Sequence, residues 1–149
     1  MVPNTRNGFP EIYENPKYLE NLSIKGKVVY PELSYQIIGV LFSVFKELGG
    51  GLQERIYQRG VKIALGKKGL TFLEQVRFDI EYHGNDVGRY FIDFVIENKI
   101  ALEIKAKKSF YRSDIRQLFG YLRKSGLELG ILARFGTNGV ESKRILRGF

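Results

Sequence analysis

Two acids and a lysine carry the clearest chemistry in this chain. Asp93, Glu103 and Lys105 form the spacing Asp-x9-Glu-x-Lys within its most apolar stretch. That stretch reads Tyr90-Phe91-Ile92-Asp93-Phe94-Val95-Ile96, a short polar turn, then Ile100-Ala101-Leu102-Glu103-Ile104-Lys105-Ala106. Charges placed in such a stretch are costly to bury unless they are paired or bind a metal. Oxygen ligands, with no cysteine in the chain and no histidine nearby, suit Mg²⁺ or Mn²⁺. A lysine on the same face can contact a water or a phosphate oxygen. Together these parts suit metal-assisted hydrolysis of a phosphodiester, in which the ion activates water and offsets charge on the phosphate. The plainer alternative is a structural ion pair, with Lys105 neutralising Glu103 or Asp93. The spacing by itself is a loose pattern.

The elements around these residues decide whether they can meet. Side chains alternate along a strand, so Glu103 and Lys105 share a face. Asp93 joins them only if the turn has the right length. If Ile96 pairs with Ile100 across the three-residue loop Glu97-Asn98-Lys99, Asp93 falls opposite Glu103. A two-residue loop sends it to the other face. Such loops commonly need a positive φ, which asparagine tolerates, and Asn98 is available.

Upstream, Leu33, Ile37, Leu41, Val44, Phe45 and Leu48 recur at helical spacing, and Gly49-Gly50-Gly51 ends that helix. A second helix is expected from about Leu52 to Lys68, closed by Gly69. The period then changes to two: Phe72, Val76, Phe78, Ile80 and Tyr82 mark a strand with one buried face. His83-Gly84-Asn85-Asp86 reads as a turn. Val87–Ile96 is apolar on both faces and so reads as a central strand, and Ile100–Ala106 as the next one. Ser113 or Asp114 is a candidate cap for a helix carrying Ile115, Leu118, Phe119 and Leu122 and ending at Gly126. Leu127–Phe135 is a fourth strand, and Val140–Leu146 is open between a strand and a short helix. From the second helix onward the order is αβββαβ, which implies an α/β fold with a mixed sheet and helices on its faces. Residues 1–30 hold three prolines and no sustained period. They read as an N-terminal arm, with Phe9, Tyr13 and Tyr18 as candidates to dock on a single domain spanning 31–149.

Composition bounds the partners. The formal charge is +8, from 24 Lys+Arg against 16 Asp+Glu, which favours a polyanionic partner, nucleic acid first. The lack of cysteine excludes a disulfide framework and thiolate metal sites. No apolar run approaches the roughly 20 residues of a membrane span, and the N-terminus lacks the apolar segment of a secretory signal. A cytoplasmic protein is the default expectation, and a homodimer is left open.

Several of these residues also match a known pattern. Gly51-Leu52-Gln53-Glu54-Arg55-Ile56-Tyr57, preceded by Leu33–Gly39 and Phe45–Gly49, stands upstream of Asp93 and Glu103-Ile104-Lys105-Ala106, with Gln117-Leu118-Phe119-Gly120-Tyr121-Leu122 beyond. In this the chain resembles the GxxExxY proteins of the PD-(D/E)XK nuclease superfamily, over Leu33 to about Leu146. The resemblance implies the restriction-endonuclease-like αβββαβ core with an extra N-terminal helix. It implies that Asp93 and Glu103, with the Ile104 carbonyl, bind a divalent ion, Mg²⁺ or Mn²⁺. Lys105 would be the catalytic lysine. Glu54 would complete the site or hold a second ion, and Gln117 would contact the site or substrate, with Tyr121 one turn along the same helix face. Phe45 and Gly50 depart from the family, which often has histidine and proline there.

Each assignment has a plainer counterpart. An acid at Glu54 favourably meets a helix dipole. Tyr57 is expected to be a packing residue. The glycine run could present amides to a phosphate, but a tight inter-helix turn is the simpler reason for it. Lys107, Lys108, Arg112, Arg116, Arg123 and Lys124 form a candidate phosphate track or an ordinary solvated face. His83, at a hairpin tip, has no assigned role. The sequence therefore leads to a divalent-metal-dependent nuclease, with DNA as favoured substrate. The alternative is a non-catalytic nucleic-acid-binding module, or an accessory protein that retained the fold.

Overall fold

The computed structural model describes residues 29–148 with their side chains, and ahead of them only the backbone of four two-residue strands. Those strands form two small antiparallel pairs, Thr5–Arg6 with Phe9–Pro10 and Ser23–Ile24 with Lys27–Val28. The expected docking of Phe9, Tyr13 and Tyr18 lies outside the described side chains.

Helix α1 spans Pro31–Leu48. Proline opens it where an N–H would lack a partner in any case, and its apolar stripe buries Ile37, Ile38, Val40, Leu41 and Val44. Helix α2 spans Glu54–Lys67 and buries Tyr57, Val61 and Leu65, one per turn. The turn between them explains the glycine run. Gly49 and Gly51 have φ of 75° and 81°, a region that L side chains avoid. A Cβ on Gly50 would stand 2.1 Å from the Thr137 carbonyl oxygen. Tyr57 closes this turn: its hydroxyl donates to Gly49 O at 2.7 Å and accepts from Leu52 N at 3.2 Å, while its ring stacks on Phe135. The packing role expected for Tyr57 is what the structure has.

A five-stranded sheet follows: β1 (Phe72–Tyr82), β2 (Asn85–Ile96), β3 (Ile100–Lys105), β4 (Leu129–Phe135) and β5 (Val140–Leu146). Helix α3 (Arg112–Ser125) carries the chain from β3 to β4. Neighbouring strands are antiparallel except β3 and β4, which are parallel, as a helical crossover requires. The order read from the sequence holds, and the open choice for Val140–Leu146 resolves as a strand. β2 is a central strand as expected, paired with β1 on one side and with β3, the middle of the five, on the other. Two details differ. Only residues 92–96 of β2 are fully buried, because the outer half of the β1–β2 hairpin extends past the helices; Tyr82 is 66% exposed, against the buried face expected for it. Helix α3 starts earlier than expected, with Tyr111 at its N-cap. Ser113 and Asp114 thus lie inside its first turn and cap nothing.

The sheet has two apolar faces. On one, α1 and α2 cover Phe94, Ile96, Leu102, Ile104, Ile131 and Ala133. On the other, α3 covers Ile92, Val95, Ala101 and Leu132. Along β2 this alternation breaks: Phe94 and Ile96 face α1 and α2, whereas Ile92, also even-numbered, faces α3. The break coincides with a kink in β1, where Gln75 has φ 48° and is missing from the ladder between Glu74↔Phe94 and Val76↔Ile92. The register is the same on both sides of Gln75, so the kink is a local twist of the backbone that turns the faces over without inserting a residue. Asp93 is the residue opposite.

Candidate active site

Asp93 and Glu103 meet where β2 and β3 part. The loop Glu97-Asn98-Lys99 closes with three residues, Ile96 pairs with Ile100, and Glu97 and Asn98 both have φ of 53°. The odd-numbered loop is the one that brings the acids together. The ladder ends at Phe94↔Leu102, one step short of an Asp93–Glu103 pair. There the side chains take over from the main chain. Glu103 Oε1 accepts the Asp93 N–H at 2.8 Å, and Asp93 Oδ2 accepts the Ile104 N–H at 2.8 Å. Each acid thus holds the other strand's backbone, which fixes both carboxylates without using all of their acceptor capacity.

Both acids are buried, at 5% and 3% exposure, which excludes most of the water that would solvate their charges. Burial, and next the charge of Asp93, push the Glu103 carboxyl up to about 8; Lys105 opposes this without cancelling it. Lys105 Nζ lies 3.4 Å from Glu103 Oε2 and 3.9 Å from Asp114 Oδ1. Burial alone would lower its pKa, but Glu103, Glu54 and Asp114 outweigh that and raise it. Lys105 is therefore an ammonium at neutral pH. The ion pair weighed from the sequence exists, and Lys107 serves Asp114, so Asp93 and Glu103 share Lys105 as their nearby lysine and Glu103 keeps its proton up to about pH 8.

Three contributors carried no signal strong enough to be read from the sequence. Gln58 on α2 and Gln75 at the β1 kink both donate to Asp93 Oδ1, at 2.9 and 3.1 Å. Asp114, buried at 6%, accepts from Lys107 Nζ through both oxygens, at 3.0 and 2.8 Å. The spacing of Gln58 four residues after Glu54 was the available hint, since it puts both on one helix face.

The remaining candidates are dispersed. Glu54 is half-buried at the first position of α2 and acts on Lys105 through its charge. Among the described residues no three Asp, Glu or His side chains converge on one point. Ile104 is fully buried. Gln117 is half-buried on α3. Tyr121 is 8% exposed, with its ring edge-on to Phe78, so it packs α3 on the sheet. Lys107 is held by Asp114 and lies 4.0 Å over the Tyr111 ring, whereas Lys108, Arg112 and Arg116 are exposed.

The donor set can be tested for a cation from its own hydrogen bonding. A carboxylate oxygen has about two acceptor directions. Asp93 Oδ1 is filled by two amides, but Asp93 Oδ2 and Glu103 Oε1 each take one backbone donor, and Glu103 Oε2 lies 3.4 Å from Lys105 Nζ. Hard oxygen donors remain, and they fit a small dication that keeps several waters and displaces the proton that Glu103 otherwise holds at neutral pH.

A family model described as the PD-(D/E)XK nuclease superfamily matches residues 31–145 of this chain. No curated protein matches. Among solved structures, the crystal structure of SSO0001 is similar at 21% identity and a TM-score of 0.50. The likeness covers 80% of this chain, which spans 59% of the length of that one. It supports an α/β fold with a mixed sheet and no more than the fold.

Proposed function

Because the chain belongs to the PD-(D/E)XK nuclease superfamily, whose activity class is phosphodiester hydrolysis, we propose that it is a Mg²⁺- or Mn²⁺-dependent nuclease acting on DNA. Its GxxExxY-like motif places it, in this reading, with the family of that name. The observation that carries the reading is the crossed pair of acids, Asp93 and Glu103, buried beside Lys105 with acceptor capacity to spare.

Asp93 Oδ2 and the Glu103 oxygens would hold the ion, with the Ile104 carbonyl as a further donor. When bound, the ion supplies an activated water and stabilises charge on the phosphate. The protein's own groups do the rest. Gln58 and Gln75 fix Asp93 Oδ1, so the carboxylate needs no reorganisation as substrate arrives. Lys105, held as an ammonium by its acidic neighbours, stabilises the developing negative charge on the phosphoryl oxygens. Asp114 keeps Lys105 and Lys107 in place. The net charge of +8 favours approach of a polyanion.

The test is a cleavage assay with purified protein and Mg²⁺ or Mn²⁺ on single-stranded, duplex and branched DNA and on RNA. Cleavage of DNA is expected, and loss of at least roughly 10²-fold in Lys105→Ala, as for removal of one oriented charge in a dry site. Asp93→Ala should be inactive, with folding checked by circular dichroism. If every substrate survives, while binding persists without metal and is unaffected by Lys105→Ala, the protein is the non-catalytic module instead.

A further inference from the structure

A groove of about 330 Å³ opens beside Asp93, between α2 and the start of the β1–β2 hairpin. Its wall on α2 carries Arg55, Arg59 and Lys62, at a spacing that puts all three on one stripe of the helix. Lys62 is bound to Glu74 across the groove at 3.1 Å. Arg55 and Arg59 are exposed and make no ion pair or hydrogen bond with any described residue. The floor is Gln58, Gln75 and Asp93, so two unneutralised guanidinium groups flank a channel that reaches Asp93 from the side where the two glutamines hold its Oδ1.

The far wall continues along the hairpin. Beyond the Gln75 kink the strand faces exchange, so Arg77 and its cross-strand partner Phe91 point to the α2 side, opposite Phe78 and Ile92, which face α3. Phe91 is 46% exposed there. On the α3 side Lys105 and Lys107 both engage Asp114, and the exposed cations there, Lys108, Arg112 and Arg116, are not among the residues that line the groove at Asp93.

We propose that this groove, rather than the α3 surface, is the channel for the sugar-phosphate backbone of the substrate, with Arg55 and Arg59 each holding one phosphate. Residues four apart on a helix lie roughly 6 Å apart along its axis, a step that suits neighbouring phosphates of one strand. Guanidinium groups suit phosphate by their forked donors. The inference rests on the nuclease reading for the choice of ligand, but its test is a binding test and does not need cleavage.

Fluorescence anisotropy would follow the full chain, in EDTA, binding a labelled DNA strand and the corresponding duplex over a salt series. Arg55→Ala/Arg59→Ala should weaken binding roughly tenfold or more and reduce the magnitude of the log K against log salt slope by about two, one for each phosphate no longer held. Lys67→Ala/Lys68→Ala removes the same charge from the far end of the α2 region and should leave the slope within error of wild type. A wild-type slope in the arginine variant, or an equal loss in the Lys67/Lys68 variant, overturns the inference. So does a larger loss in Lys108→Ala/Arg112→Ala, which would place the track on α3. The two readings can fail separately. Arginine-dependent binding without cleavage leaves the channel standing and removes the nuclease. Cleavage with unchanged KM in the arginine variant does the reverse.

Discussion

Glu103 shares a water-poor space with Asp93, and a carboxyl pushed up to about 8 in the folded protein makes stability depend on pH. In the unfolded chain it titrates near 4.5, its ordinary value. Between those pH values the folded state holds a proton that the unfolded state has released. The stability contributed by the protonated side chain is fully present below the unfolded pKa and is lost as pH rises through the folded one. Metal-free protein should therefore lose melting temperature as pH rises toward about 8, and Glu103→Gln should lack that component. Thermal unfolding in EDTA across that range checks it; parallel curves for the two proteins would contradict the assignment. At this scale the sequence exposed Asp93, Glu103 and Lys105, because charges in an apolar run are anomalous. It hid Gln58, Gln75 and Asp114. A glutamine on a helix or near a strand kink is ordinary, and an acid in the first turn of a helix has a sufficient reason in the dipole.

The inter-helix turn and the β1 kink aim the site, and they differ in how far sequence reveals them. Three glycines in a row announce a turn, and the odd loop Glu97-Asn98-Lys99 could be tested on paper, since one residue more or less moves Asp93 to the wrong face. The kink at Gln75 has no such mark: no glycine or proline stands there, and β2 is apolar on both sides of Asp93, so a change of face leaves the hydrophobic pattern intact. The turn offers a clean measurement. Tyr57→Phe keeps the ring stacked on Phe135 but removes the hydroxyl that serves Gly49 O and Leu52 N. The cost should be roughly 1–3 kcal/mol, that of leaving partly buried backbone groups unsatisfied. Urea unfolding should show a lower midpoint at unchanged m-value. No change in midpoint would mean that the glycines alone hold the turn. Gly50→Ala should cost more, because backbone stands 2.1 Å from the added carbon and cannot move aside as a side chain could.

Across the whole molecule, the αβββαβ order was legible because hydrophobic period and turn residues agree along most of the chain. The reading of β2 as a central strand was legible too, since apolar residues on both faces mark a strand with a neighbour on each side, though they do not tell which strand is the middle one. This position matters for stability. Two buried acids stand where β2 and the central strand β3 part, so the cost of holding them without a cation, a proton kept on Glu103 or repulsion once it is lost, falls on the junction of the sheet rather than its edge. A dication bound only by the folded state would relieve this and raise global stability by RT ln(1 + [L]/Kd), about 2.7 kcal/mol at a hundredfold excess over Kd. For a chain of this size that corresponds to a rise of roughly 5–10 °C in melting temperature. Mn²⁺ titrated into EDTA-treated wild type, followed by differential scanning calorimetry near pH 7.5, should give a saturable rise. Glu103→Gln should start from a comparable or higher melting temperature, since Glu103 is mostly protonated at that pH and the amide cannot ionise, and should show little or no rise. A wild-type curve indifferent to Mn²⁺, or an equal rise in the variant, would mean that the crossed carboxylates serve the fold alone and that Lys105 is their only cation.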